Sequence, residues 1–329
     1  MYTKKKQTMK NYFTTGLLAL VMLVGLGVTS AIATDFPKKA VKFLIPFNPG
    51  GQSDVAAMLL RAGLEEALKV DVVPQYRPGG GGAVGWTMLA QQRADGYMMA
   101  VTNLPHIVIQ PIMIKGVKYK TDQLAAVYLY AQSPGGIAVN KDDDRFKTLN
   151  DLIAYAKANP KKLSVGGTGK FTGNHLGYLQ FTQEAGIDAS YVSFNGAAPQ
   201  TAAILGKHVD AIYGGTFIFA NNREKLRVLA VATDAPLADF KGVPTFTELG
   251  IDLIGGIDRG VTVPAGTPKE RIDVLAKALR FATTKPEYKE GMSKLGFRLM
   301  DLGPEQYTEF IEKRKQQYIE VLKKGGFLK

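Results

Sequence analysis

Residues 46–54, PFNPGGQSD, stand between the apolar run AVKFLIPF (40–47) and the helical pattern DVAAMLLRAGLEEAL (54–68). A tight turn needs one glycine. Gly50 and Gly51 in succession, opening onto a helix start, predict backbone that a ligand approaches closely, because no Cβ shields their N–H groups. Ser53 is placed to cap the helix and Asp54 to sit in its first turn. The helix mouth adds partial positive charge, so the corner reads as an anion site. Asp54 either serves the helix end or accepts from a ligand hydroxyl or ammonium, since beside a carboxylate it would repel.

The same strand–glycine–helix order recurs along the chain. VDVVPQY (70–76), YMMAVTN (97–103), KLSVGG (162–167), ASYVSF (189–194), VDAIYGG (209–215) and LRVLAVAT (226–233) read as strands. Between them AVGWTMLAQQRA (83–94), TLNDLIAYAKANP (148–160), TGNHLGYLQFTQEAG (172–186) and APQTAAILGKH (198–208) carry helical spacing. Such alternation predicts an α/β protein with mainly parallel sheets flanked by helices, binding ligands at the carboxyl ends of strands. Composition breaks at SPGGIAVN (133–140) and in residues 250–268, before a helical C-terminal part. With 329 residues, more than one core usually serves, two lobes are expected. The chain crosses between them twice: lobe 1 is 34–136 plus 256–329, and lobe 2 is 137–255.

Lys4, Lys5, Lys6 and Lys10 precede the apolar run Gly16–Val28 and the small-residue site Ala31-Ile32-Ala33. This order predicts a cleavable secretory signal over 1–33. The run is short of the ~20 residues of a membrane span, although an uncleaved anchor is the alternative. Removing 1–33 takes four lysines and no acid, so the net charge falls from +12 to +8. That excess suits attraction of anionic solutes, or solubility alone. There is no cysteine, hence no disulfide, thiolate metal ligand or lipidated cysteine. Scattered lysines without a basic-aromatic module argue against nucleic acid. No cofactor or metal ligand set is evident.

Two further loops resemble the first in design. SVGGTGKFTGNHL (164–176) offers the hydroxyls of Thr168 and Thr172, backbone freed at Gly169, and Lys170 as a cation. His175, without an acid-base partner, reads as structural. In the third loop Asn195-Gly196 is a turn signal, and Ala197 and Ala198 approach a helix with Pro199 in its first turn. Small residues there either leave room for a solute or let helix and strand pack closely. RPGGGGAVGWTML (77–89) is a weak match to a dinucleotide loop and reads as a tight strand-to-helix turn.

Seven stretches, FPKKAVKFLIPFNPGGQSDVAA (36–57), RPGGGGAVG (77–85), ADGYMMAVTN (94–103), NGAAPQTAAILGKHVDAIYGG (195–215), LRVLAVATDAP (226–236), GVPTFTELG (242–250) and VPAGTPKERI (263–272), follow one another as in the extracytoplasmic solute receptors of tripartite tricarboxylate transporters, the Bug family. The chain resembles that family over essentially all of its mature length. The resemblance implies a two-lobed, type II-like periplasmic-binding fold with the ligand in the cleft between lobes. It implies capture of a small organic acid, a di- or tricarboxylate, in the Gram-negative periplasm by a monomer. Delivery would be to a permease of large and small integral-membrane subunits. It also implies that the first two glycine loops grip the ligand carboxylate, partly through water. By position Asn48, Gly50, Gly51, Ser53 and Asp54 match the first loop; Thr168, Gly169 and Thr172 the second; and Asn195, Gly196 and Ala197 the third. Thr102, Asn103 and His106 fall where family members line the cleft.

The chain departs from the common pattern at Lys170 and Phe171, which replace small residues, and at GGIDRGVTVP (255–264), where a tryptophan is frequent. Arg259 is therefore either a partner for a second carboxylate or a surface arginine beside the hinge. With three histidines and no cysteine, the chain is sparsely equipped for catalysis. The alternatives are a receptor that reports to a membrane sensor, and an exported hydrolase using Ser164 or Ser193 with His175. Neither serine lies in a nucleophile elbow.

Overall fold

The computed structural model describes residues 35–329; the predicted secretory signal lies outside them. Val41, Phe43, Leu44 and Ile45 of β1 (Val41–Ile45) are all buried, so both sides of the sheet are covered here, as expected of a parallel strand flanked by helices. β1 pairs in parallel with β2 (Val72–Tyr76) and β3 (Met98–Leu104). The crossovers are α1 (Gln52–Leu68) and α2 (Ala83–Ala90), and α3 (His106–Met113) follows β3. In the second half β5 (Ser164–Thr168) pairs in parallel with β6 (Ser190–Phe194) and β7 (Ala211–Gly215). Here α4 (Leu149–Ala158), α5 (Gly173–Ala185), α6 (Ala197–Leu205) and the short α7 (Thr216–Ala220) supply the helices.

Two long antiparallel strands join the halves. β4 (Leu124–Asn140) pairs with β9 (Gly256–Pro264) as far as Pro134↔Gly256. From Gly135↔Gly215 it pairs with β7, and also with β8 (Leu226–Val231). β9 pairs in turn with β3, and β10 (Arg298–Leu302) with β4, giving one ten-stranded sheet. The halves are thus continuous through β4, and Phe36–Lys329 is one compact unit. It has the helix-flanked, mainly parallel strands expected from the alternation, in the two-lobed periplasmic-binding architecture that the resemblance implies.

The composition breaks at 133–140 and 250–268 are not loops throughout. The first is the C-terminal half of β4, and the second contains β9. The glycines of SPGG serve packing here: a Cβ on Gly135 would lie 2.6 Å from the Tyr213 hydroxyl, and one on Gly136 2.7 Å from the Ala230 carbonyl oxygen.

One core lies between the first sheet and α1, α8 (Lys269–Thr284) and α9 (Pro286–Lys294), with Phe43, Leu60, Val101, Val261 and Leu279 inside it. Burying each such side chain contributes about 1.5–3 kcal/mol. The opposite core runs through both halves, from Trp86 and Leu104 to Val165 and Phe181, and takes in Tyr307 of α10 (Pro304–Lys324). α10 therefore braces the face across which the chain passes.

Candidate ligand-binding site

Helix α1 begins at Gln52 with Gly51 as its N-cap, so Ser53 lies inside the first turn and is not the cap. Asp54 determines the loop. Its Oδ2 accepts from the Gly50 amide at 2.7 Å and its Oδ1 from the Tyr76 hydroxyl at 2.9 Å. The Gly51 amide donates to the Asn48 carbonyl at 3.3 Å. The expectation of ligand-facing amides at Gly50 and Gly51 is thus corrected. A carboxylate one turn away takes the nearest open donor before any solute can. The open donors of this mouth are the first-turn amides of Gln52, Ser53 and Asp54, which have no acceptor within the helix. Asn48 is exposed beside them.

Beneath that mouth lie the ends of β3 and β9. Asn103 and Ser53 are buried and joined side chain to side chain, Asn103 Nδ2 donating to Ser53 Oγ at 3.1 Å. Asn103 stands opposite Arg259 in the β3–β9 register. Arg259 is only 1% exposed, which removes the surface-arginine alternative. Its Nη2 donates to Gln52 Oε1 at 2.5 Å, and its guanidinium lies 5.3 Å from the Phe297 ring. Nε and Nη1 have no partner among the described residues. Burial pulls the Arg259 pKa down to about 10, so it remains a cation at neutral pH.

His106 is buried between Phe47 and Trp86, with ring centroids at 6.3 and 6.1 Å. Burial, and then the charge of Arg259, push its pKa down to about 3, so the ring is neutral. Thr102 does not join this group. Side chains alternate along a strand, and its hydroxyl faces α10, 3.2 Å from the Tyr307 hydroxyl. It ties sheet to helix and does not line the cleft.

In the second loop the Gly169 amide donates to the Phe194 carbonyl at 3.0 Å, so it too is taken, here by the neighbouring strand end. Thr172 Oγ1 lies 2.8 Å from the Thr168 carbonyl oxygen, 2.9 Å from that of Gly169 and 3.3 Å from Thr168 Oγ1. Phe171 has φ +59° and donates its amide to His175 Nδ1 at 3.1 Å. His175 is structural, as expected. It packs against Phe171, Tyr191 and Phe327, and burial followed by the charge of Lys170 pushes its pKa down to about 4. Lys170 is exposed, as are Asn195 and Gly196, with Ala197 opening α6 beside them.

The mouths of α1 and α5 flank one point, the end of β3. Asn103 bonds Ser53 of α1, and a Cβ on Gly173 of α5 would lie 3.4 Å from Pro105. The 79–82 turn completes the edge, since a Cβ on Gly81 would approach the Thr172 methyl to 4.0 Å. Pattern reading missed Gln52, Ser133 and Phe297. Gln52 was readable as the first helical residue, whereas Ser133 and Phe297 depend on strand register that no local pattern shows. A cavity of about 280 Å³ opens on the α10 side, lined by Gly177, Tyr213, Gly256, Arg314 and Tyr318 among others. None of the expected ligand-binding residues lines it.

The pairing of Ser164 or Ser193 with His175 is not formed. Ser164 Oγ donates to Asp210 at 2.6 Å, and among the described residues neither Ser164 nor Ser193 bonds His175. A family model described as "Tripartite tricarboxylate transporter family receptor" matches residues 56–327. The chain belongs to that family. Among relatives, this receptor is similar to "UPF0065 protein in gbd 5'region" of Cupriavidus necator, 28% identical over 318 residues, covering 95% of this chain and 96% of the relative. It is similar also to "Protein BugT" of Bordetella pertussis, 26% identical over 321 residues, 95% of this chain and 98% of the relative. The solved structure of the periplasmic binding protein BugD superposes with a TM-score of 0.81 at 26% identity, covering 89% of this receptor and 99% of BugD. The receptor is thus Bug-type, in a family of solute-binding proteins.

Proposed function

We propose that this receptor captures a small organic acid, a di- or tricarboxylate, in the periplasm and hands it to a permease of one large and one small membrane subunit. The observation that carries this reading is the convergence of the α1 and α5 mouths on the end of β3. A helix mouth presents unpaired N–H groups and partial positive charge, which favours a bound carboxylate. The first-turn amides of α1 and the hydroxyl of Thr168 are the donors, with Thr172 fixing the second loop through its own main-chain bonds and Asn48 and the Asn195–Ala197 turn at the rim. We take the lobes as 34–136 with 256–329, and 137–255, a division supported by the change of β4's partner from β9 to β7 near its boundary. The protein acts as a monomer exported by residues 1–33, and it binds without chemical conversion.

A thermal-shift screen of the mature chain against mono-, di- and tricarboxylates tests the reading. A bound solute raises the melting temperature by mass action. A rise with a di- or tricarboxylate is expected, and a flat response across the whole series would remove the organic-acid assignment.

A further inference from the structure

We infer that Arg259 and Ser133 form a second anion subsite beneath the α1 mouth, which takes a second acidic group of the solute and selects dianions over monoanions of equal length. The inference rests on the organic-acid reading above and adds a specificity-determining pair to it.

Arg259 is a cation stripped of solvent, with no carboxylate bonded to it among the described residues. Among the described residues only its Nη2 is hydrogen-bonded, to the neutral side chain of Gln52, while Phe297 lies against the guanidinium. Nη2 carries two hydrogens, so with Nε or Nη1 a planar pair of N–H donors remains for a carboxylate. The neighbouring acid, Asp258, acts on it only through space and makes no hydrogen bond with it. Asp258 is spent on Gln132 (2.5 Å), Tyr318 (3.5 Å) and Arg314 (3.4 Å). A buried charge left in this way is strongly unfavourable unless something pairs with it.

Ser133 supplies a second orphan. It is 0% exposed, and its Oγ has no partner among the described residues. The two orphans lie on paired strands, with Ala131↔Arg259 and Ser133↔Ile257 in register. Gly215 at the end of β7 closes the group. A Cβ there would sit 2.5 Å from Ser133 Oγ and 3.5 Å from Gln52 Nε2. One glutamine side chain thus separates the guanidinium from the open amides of α1. A short diacid can place one carboxylate at the helix mouth and the other on Arg259, whereas a monoacid leaves one of the two unpaired.

The test is calorimetry on the full mature chain with succinate/butyrate, glutarate/valerate, adipate/hexanoate and citrate, for the wild type, Arg259→Met and Ser133→Ala. The wild type is expected to bind at least one diacid about tenfold or more tightly than its matched monoacid. Arg259→Met should erase that preference while leaving monoacid affinity within about threefold, because the lost bonds are charge-assisted. Ser133→Ala should cost about 2–13-fold for the diacid alone. It decides the matter if Arg259→Met does not fold. Equal losses for both acids, or an unchanged preference in the variants, would overturn the subsite. A wild type that binds monoacids as tightly as diacids overturns it too, while leaving the organic-acid reading intact. If no acid binds the wild type, the organic-acid reading falls and takes the subsite with it.

Discussion

Arg314 of α10 reaches the buried carboxylate of Asp258 on β9, its Nε 3.4 Å from Oδ2. Asp258 is 0% exposed and also accepts from Gln132 and Tyr318. The C-terminal helix is thereby pinned to the strand through which the halves are joined. Burial raises the Asp258 pKa, with Arg314 opposing the shift.

Removing one partner of that pair should be costly. Arg314→Met leaves an uncompensated buried carboxylate and is expected to lower stability by about 3–5 kcal/mol. Asp258→Asn with Arg314→Met should cost clearly less than the sum of the two single changes. Urea midpoints measure both. Strict additivity would mean that the ion pair contributes no coupling.

The histidines make stability pH-dependent. His175 has a folded pKa of about 4, against 6.5 for the ordinary side chain. Between these values the unfolded chain takes up a proton that the folded chain refuses, so stability falls as pH drops from 6.5 towards 4. The loss reaches about 3 kcal/mol at most. His106, with a folded pKa of about 3, adds to it in the same direction. His175→Gln should flatten the pH dependence of the melting temperature in this window; an unchanged slope would place its source elsewhere.

Asp54 separates a structural from a ligand-contacting role. Asp54→Ala releases the Gly50 amide and the Tyr76 hydroxyl and should destabilise the chain by about 1–3 kcal/mol. Thermal unfolding without ligand reads this directly. A variant of unchanged stability and collapsed affinity would instead make Asp54 a ligand contact.

How far these roles were legible depends on range. PFNPGGQSD announced its turn and helix because glycine, Pro and the helix start act within a few residues. It did not announce that Asp54 folds back onto Gly50, because acceptor competition at a helix mouth depends on where the chain bends. The central strands were hidden. SPGG carries turn residues, yet Gly135 and Gly136 are there because Tyr213 and Ala230 come close from elsewhere in the chain. Arg259 stands out in the sequence, in GGIDRGVTVP where a tryptophan is frequent. Its burial against Gln52, 207 residues away, is a product of tertiary pairing.

Thr168 tests the second loop. Its hydroxyl lies 3.3 Å from that of Thr172, which spends its hydrogen on main-chain carbonyls. Thr168→Ala should cost one hydrogen bond to the solute, about 2–13-fold in affinity. Calorimetry showing no change would exclude Thr168 from the site.

The ladder between β4 and β9 runs unbroken from Leu124↔Pro264 to Pro134↔Gly256, apart from two register shifts, at Ala126/Tyr128 and Leu129/Ala131. Both strands of that ladder belong to one proposed lobe, 34–136 with 256–329, so a movement between the lobes leaves it whole. Between the lobes β4 is itself the continuous strand, changing partner at Pro134–Gly135, so a mouth-like opening has to bend the sheet at that step.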